Sequence, residues 1–296
     1  MVFGAGALGS VVGGLLTRRH EVTLVGRPAH VQAIEEGGLV ISGAVEAVVV
    51  PHAVEDVKGL PLADMVVLTV KAYDTAQALQ ALRPLVGEGT MVVSLQNGLN
   101  NADLLSKAYP LQAVAGVATM GAILVGPGRV LYAGEGEFSF GVIDAEPSLV
   151  NKVAEAFGSV GLESRASDDI MTEAWSKAVV NASVNPLTAI ARCKNGKVLI
   201  DPHLSLIAES ACQEATSVAR AHEIELDDDE MRARVKEVLL RTSENKSSML
   251  QDMERGKRTE IDEITGEIVR GGAAKGVPTP VNRTLWLLVR SLARHA

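Results

Sequence analysis

Two hydrophobic rhythms run along the chain and divide it. In the first half short β-branched runs recur: "MVF" at 1–3, "EVTLV" at 21–25, "GLVIS" at 38–42, "VEAVVV" at 45–50, "DMVVLTV" at 64–70 and "TMVVSL" at 90–95. Between them lie stretches with apolar residues at helical spacing, such as "GSVVGGLLTRR" and "DTAQALQALRPL". Strands that alternate with helices predict βαβ units and a mostly parallel sheet. From Val114 to Gly141 the pattern changes to "VAGVATMGAIL", "RVLYAG" and "EFSFGV", which predicts consecutive strands and antiparallel members of that sheet. "PSLVNKVAEAFGSV" and "LESRA" add a helix and a short strand. After Ser167 the strand signals fade, and helical spacing predicts helices over 170–190, 202–221, 227–242, 259–271 and 280–294. Asp201-Pro202 supplies an N-cap followed by proline at the first helical position, and "GVPTP" breaks the chain before the last helix. The expected boundary lies near 165–169, giving an α/β domain over 1–166 and an all-α domain over 167–296.

The first strand ends in "GAGALG". Gly4, Gly6 and Gly9 stand in G-x-G-x-x-G after a strand and before a helix, the context of a dinucleotide fingerprint. Gly4 is expected to make the tight turn, Gly6 to let the backbone approach a pyrophosphate, and Gly9 to let the helix pack on the strand. The loop Gly4, Ala5, Gly6, Ala7, Leu8 and Gly9 is then the cofactor cradle. The first strand has three residues, where such a strand usually has five or six. At the end of the second strand an acidic residue would hold a ribose 2′-hydroxyl. Gly26 and Arg27 stand there instead, and a cation suits a 2′-phosphate, so NADP is expected over NAD. Lys71 and Asn97 also follow strands, on the carboxyl edge where open parallel sheets bind ligands. An exposed lysine and an ordinary Asn-Gly turn are the plain alternatives.

In the second half "EAWSKAVVNASVNPLTAI" puts Lys177, Asn181 and Asn185 four residues apart, in one row on a helix that is otherwise apolar. A wet helix face would explain a lysine alone. The apolar flanks argue for burial, and a buried lysine needs a partner. "EIDEITGEIV" sets Ile261, Ile264 and Ile268 on one face, which predicts an amphipathic helix with Glu260 near its start. Ser247 and Ser248 precede a short helical stretch, and capping is a rival explanation for one of them.

Composition narrows the choices. The 296 residues, 47% hydrophobic and 22% charged, suffice for two cores. A net charge of −8 argues against nucleic-acid binding, and no apolar run approaches a membrane span. The chain starts in a glycine turn without a leader pattern. Cys193 and Cys212 are too few for a disulfide framework, so a reduced cytoplasm is expected. The six histidines are scattered without metal-ligand spacing, and no G-x-S-x-G elbow occurs.

The full set of motifs resembles the 2-dehydropantoate 2-reductase (ketopantoate reductase) family. The resemblance runs through "GAGALG", Arg27, "VK" at Lys71, "QNG" at Asn97, "WSKAVVNASVNPLTA", "NG" at Asn195, "NKSSMLQD" and "RTEID". It implies a Rossmann-type, mostly parallel domain followed by an all-α domain of the 6-phosphogluconate dehydrogenase type. It implies NADPH-dependent reduction of ketopantoate to pantoate, a step of pantothenate and coenzyme A biosynthesis. By resemblance, Lys177 is the proton donor and Glu260 the acidic residue near the nicotinamide ribose and substrate. Asn97, Asn181, Asn185, Asn195, Asn245 and Ser248 hold the substrate or support the site. Lys71, Asn97 and Ala122 line the cofactor, although "ATMGAI" around Ala122 is less polar than the family's stretch. The expected partner is a small 2-keto acid, with neither nucleic acid nor membrane; a homodimer is left open. Two alternatives remain: a related dehydrogenase of another 2-keto or hydroxy acid, and a nucleotide-sensing regulator that binds NADP without turnover.

Overall fold

The computed structural model describes residues 1–134, 136–143 and 145–293. It comprises two compact units, one of Met1–Gln96 with Asn101–Ile170 and one of Asn97–Asn100 with Met171–Ala296.

The first unit is α/β. Its elements are β1 (Val2–Phe3), α1 (Ala7–Leu16), β2 (Thr23–Val25), α2 (Pro28–Gly37), β3 (Leu39–Gly43), β4 (Ala47–Val49), β5 (His52–Val54), β6 (Met65–Leu68), α3 (Thr75–Ala81), β7 (Met91–Ser94), α4 (Asn101–Ala108), β8 (Ala113–Ala118), β9 (Ala122–Gly126), β10 (Arg129–Tyr132), β11 (Phe138–Val142), α5 (Ser148–Gly158) and β12 (Ser164–Ala166). The main sheet runs β12-β11-β8-β7-β6-β1-β2-β5 and is parallel except between β8 and β11. Its inner strands are buried on both faces: Leu24, Val67, Val93 and Val114 are all within 1% of full burial. That is why they read as continuous apolar runs rather than alternating ones. Phe157 on α5 packs edge-on against Phe138 and Phe140 of β11, with ring centroids 5.1 and 4.9 Å away. Though only two residues long, β1 pairs with β2 on one side and β6 on the other.

Not all predicted strands enter this sheet. "GLVIS" and "VEAVVV" form β3 and β4 of a second, four-stranded sheet ordered β4-β3-β10-β9. The link between them is too short for a parallel crossover, so they pair antiparallel. Gly43 turns the chain at φ +100, and its N–H donates to Glu46 Oε1 at 2.9 Å. "VAGVATMGAIL" breaks after Ala118, so β8 joins the main sheet and β9 the second. Both β9 and β10 pack on α1. The edge strand β5 was not anticipated; its three residues are too short to show a period.

The second unit holds α6 (Ile170–Ala191, whose first residue groups with the first unit), α7 (Asn195–Ile200), α8 (Pro202–Ala221), α9 (Asp228–Arg241), α10 (Ser248–Glu254), α11 (Thr265–Lys275) and α12 (Pro280–Ala293), with no strand among its described residues. Asp201 caps α8 by accepting from the N–H groups of His203 and Leu204, and Asp227 caps α9 in the same way. The helix expected from residue 259 instead begins at Thr265. Residues before it form a turn in which Ile264 N–H donates to Glu260 O and Gly266 N–H to Ile261 O. The Asp262 carbonyl accepts from the Arg270 guanidinium in place of a helical N–H, and the Asp262 carboxylate accepts from Trp286 Nε1. Among the described residues no helix is long and apolar enough to cross a membrane, and no His, Cys, Asp and Glu cluster could hold a metal.

Candidate functional site

In the first unit the glycine loop is shaped by close approach. Gly4 sits at φ +114, and a Cβ there would lie 2.5 Å from Val70 N. A Cβ on Gly9 would lie 2.3 Å from Gly4 O and 2.4 Å from Thr69 Oγ1. Gly6 is different: the nearest atom to its missing Cβ is 3.9 Å away, so open space lies above the loop. Gly4 and Ala5 N–H groups both donate to Val25 O, which ties the loop to the end of β2. Gly6 caps α1 without a side chain, and the N–H groups of Ala7, Leu8 and Gly9 have no hydrogen-bond partner among the described residues. Such amides at a helix start form a cradle for an anionic oxygen. The loop therefore fits a dinucleotide pyrophosphate.

Arg27 is exposed and stands just before α2, where its carbonyl accepts from His30 and Val31 N–H groups. A Cβ on Gly26 would lie 3.0 Å from Ala5 Cβ, so there is little room for an acidic side chain at that position. Half-buried Lys71 precedes a 3-10 turn over Ala72–Asp74. The carbonyls flanking it are both held, Val70 O by Gln96 Nε2 at 3.0 Å and Ala72 O by Thr75 Oγ1 at 2.8 Å. Thr69 Oγ1 donates to Gly4 O at 2.8 Å. Nothing in the sequence singles out Thr69, Thr75 or Gln96; the glutamine stands inside "QNG", but the two partners of its Nε2 are over twenty residues away. Ala122 opens β9 and pairs with Tyr132 in the second sheet.

In the second unit Lys177, Asn181 and Asn185 lie in one row on α6, spanning roughly 12 Å at 1.5 Å per residue. The row is not a wet face. Trp175, Ala178, Val179, Val180, Ala182 and Val184 beside it are buried, as is Asn185; Lys177 and Asn181 are half-buried. Burial strips water from the Lys177 ammonium and lowers its pKa to about 8, and the Glu260 charge pulls it back upward. Glu260 is itself buried, in the turn before α11, and its Oε2 accepts from Asn97 Nδ2 at 3.2 Å. The structure thus brings Lys177, Glu260 and Asn97 together. It does not put Glu260 at a helix start, because four residues separate it from Thr265.

The other predicted residues divide. Ser247 is the cap of α10: its Oγ accepts from Leu250 N–H and lies 2.7 Å from Thr188 Oγ1 on α6. Ser248 is the first residue of α10 and is exposed, so capping does not occupy it. Asn195 is buried at the α6–α7 corner, where its Nδ2 donates to Thr242 Oγ1 at 2.8 Å and its N–H to Asn245 O. Its Oδ1 has no hydrogen-bond partner among the described residues. The last residue of α6, Ala191, is already roughly 21 Å along the helix from Lys177, so Asn195 and Asn245 sit at the opposite end of α6 from the lysine.

A lysine with a lowered pKa, an acidic neighbour and uncharged amides can donate a proton to an oxygen of an anionic substrate. Comparisons with known proteins identify the family. Residues 1–145 match the family described as ketopantoate reductase PanE/ApbA, and residues 169–293 its C-terminal part. A 2-dehydropantoate 2-reductase of Archaeoglobus fulgidus is 41% identical over 98% of this chain and 96% of that protein. The one from Pyrococcus horikoshii is 37% identical over the same shares, 98% and 96%. The PanE/ApbA family ketopantoate reductase of Ralstonia eutropha JMP134 superposes with a TM-score of 0.92 at 35% identity, covering 100% of this chain and 99% of that one. A ternary structure of D-mandelate dehydrogenase with NADH and anilino(oxo)acetate reaches 0.93 at 30% identity, with coverage of 100% and 99%. On these grounds the chain belongs to the ketopantoate reductase family.

Proposed function

We propose that this protein reduces 2-dehydropantoate to pantoate with NADPH, in pantothenate and coenzyme A biosynthesis. The observation that carries the reading is Lys177: a desolvated ammonium with a pKa of about 8, beside Glu260 and in line with Asn181. Bound NADPH would supply the hydride. The unpartnered amides of Ala7, Leu8 and Gly9 would hold its pyrophosphate, Arg27 its 2′-phosphate, and Lys71 would line its site. Lys177 donates the proton to the substrate carbonyl oxygen and stabilises negative charge developing there. Asn181, Asn185, Asn97 and Ser248 offer neutral donors to the acid's carboxylate and hydroxyl oxygens without repelling it. Glu260 keeps Lys177 protonated near neutral pH. Asn195 and Asn245 shape the α6–α7 corner and support the site from there. Ala122, opening the strand that packs on α1, takes the lining role its family position implies. A cytoplasmic location and a homodimer belong to this reading.

A second reading has one observation in its favour. The likeness to D-mandelate dehydrogenase points to the same chemistry on an aromatic 2-keto acid with NADH. Arg27 and the crowded Gly26 weigh against NADH. The test is consumption of NADPH on addition of ketopantoate to the purified protein, and its loss in Lys177→Ala with NADPH binding retained. Tight NADPH binding without turnover of any 2-keto acid would favour a nucleotide sensor instead.

A further inference from the structure

One buried polar group in the first unit touches neither substrate nor proton donor. His30, on α2, is 5% exposed, and both of its ring nitrogens are engaged. The Gly128 N–H, in the turn between β9 and β10, donates to His30 Nδ1 at 3.0 Å. A nitrogen that accepts carries no hydrogen, so the neutral ring bears its proton on Nε2. That Nε2 lies 3.0 Å from Oγ of Ser10, a fully buried residue on α1, and so donates to it. Ser10 N–H in turn donates to Gly6 O, inside the glycine loop. His30 N–H donates to the Arg27 carbonyl, and the ring lies 3.8 Å from where a Cβ on Gly26 would stand. One imidazole therefore joins the start of the phosphate helix, the turn that presents Arg27, and the second sheet.

We propose that His30 is a positioning residue for the dinucleotide site: its neutral Nε2–H form fixes the glycine loop and Arg27 relative to each other, and protonation releases that tie. The proposal rests on the reading of this unit as an NADPH site. A protonated ring has a hydrogen on both nitrogens, so Nδ1–H would face Gly128 N–H, donor against donor. Burial holds the His30 pKa below its ordinary value. The surrounding elements carry few charges: none on α1 or β9, Arg27, Glu35 and Glu36 on or beside α2, Arg129 on β10 and His52 on β5. The lowering comes from burial rather than from them. The neutral tie is thus complete above the ordinary histidine pKa and is lost as pH falls through the lowered one.

The test is the dissociation constant of NADPH and of NADH, measured by fluorescence across a pH series, for wild type, His30→Gln and Ser10→Ala. Near pH ~7.5 each variant is expected to weaken NADPH about three- to tenfold, the scale of one buried hydrogen bond. NADH should weaken less, because it makes no use of Arg27. The kcat at saturating NADPH should stay close to wild type, which separates positioning from general damage. The 2′-phosphate of NADPH also titrates near pH ~6, so the informative quantity is the ratio of variant to wild type at each pH. That ratio should shrink toward unity as the solution is acidified. If His30→Gln fails to fold, Ser10→Ala carries the same comparison with the histidine intact. A ratio that stays constant with pH, or equal weakening of both cofactors, overturns the proposal. Wild type that binds neither cofactor would instead overturn the underlying reading.

Discussion

If Lys177 is the proton donor, the rate of reduction must carry its titration. Its pKa is lowered from the ordinary 10.5 to about 8, a net cost of roughly 3 kcal/mol to the charged form. Burial supplies that cost, and Glu260 offsets part of it. With a pKa near 8 the lysine remains about nine-tenths protonated at pH ~7. Reduction needs the protonated form, so kcat/KM for ketopantoate should be flat below pH ~8 and fall about tenfold per unit above it. Oxidation of pantoate needs the deprotonated form and should rise through the same pH. Glu260→Gln keeps an acceptor for Asn97 Nδ2 but removes the charge that raises the lysine pKa. Its alkaline limb should therefore move to lower pH, and less of the enzyme should be active at neutrality. The assay is initial-rate NADPH consumption at saturating cofactor across a buffer series, for wild type and Glu260→Gln. A wild-type limb near an ordinary lysine pKa, or a limb that Glu260→Gln leaves in place, would remove Lys177 as the proton donor.

Lys177→Ala should lower kcat by on the order of 10²–10⁴-fold while NADPH binding survives, measured by steady-state rates and fluorescence titration. Lys177→Arg should rescue little, because guanidinium holds its proton too tightly and has another shape. Arg27→Ala should raise the KM for NADPH well above any change for NADH; equal changes would remove Arg27 as the 2′-phosphate reader. Ser247→Ala should cost about 1 kcal/mol of stability in denaturant unfolding, for loss of the α10 cap, and leave Thr188 without its hydroxyl partner. Ser248→Ala should leave stability unchanged and show itself only in the KM for the keto acid.

What could be read from sequence was local. The glycine fingerprint was legible because its demands are stereochemical: only glycine tolerates the φ of Gly4 and the 2.3 Å approach at Gly9. Asp201 announced α8 because a cap lies within three residues of what it caps. The polar row on α6 was legible as a spacing, and its burial followed from its apolar flanks. Pairings over long separations were not legible. Nothing in "GLVIS" tells a strand of the main sheet from one that pairs with β10 nearly ninety residues on. The His30 bond to Gly128 spans 98 residues and left no pattern. The turn around Glu260 misled for another reason: Ile261, Ile264 and Ile268 are all buried, so a turn followed by a helix keeps the periodicity of one continuous helix.

The central claim is that this scaffold reduces a branched aliphatic 2-keto acid with NADPH. A side-by-side measurement of kcat/KM tests it most directly, using ketopantoate and an aromatic 2-keto acid, each with NADPH and with NADH. Ketopantoate with NADPH should give the highest value, and Lys177→Ala should lose that activity. A higher value for the aromatic acid with NADH would contradict it and place the protein with the D-mandelate dehydrogenases it resembles in fold.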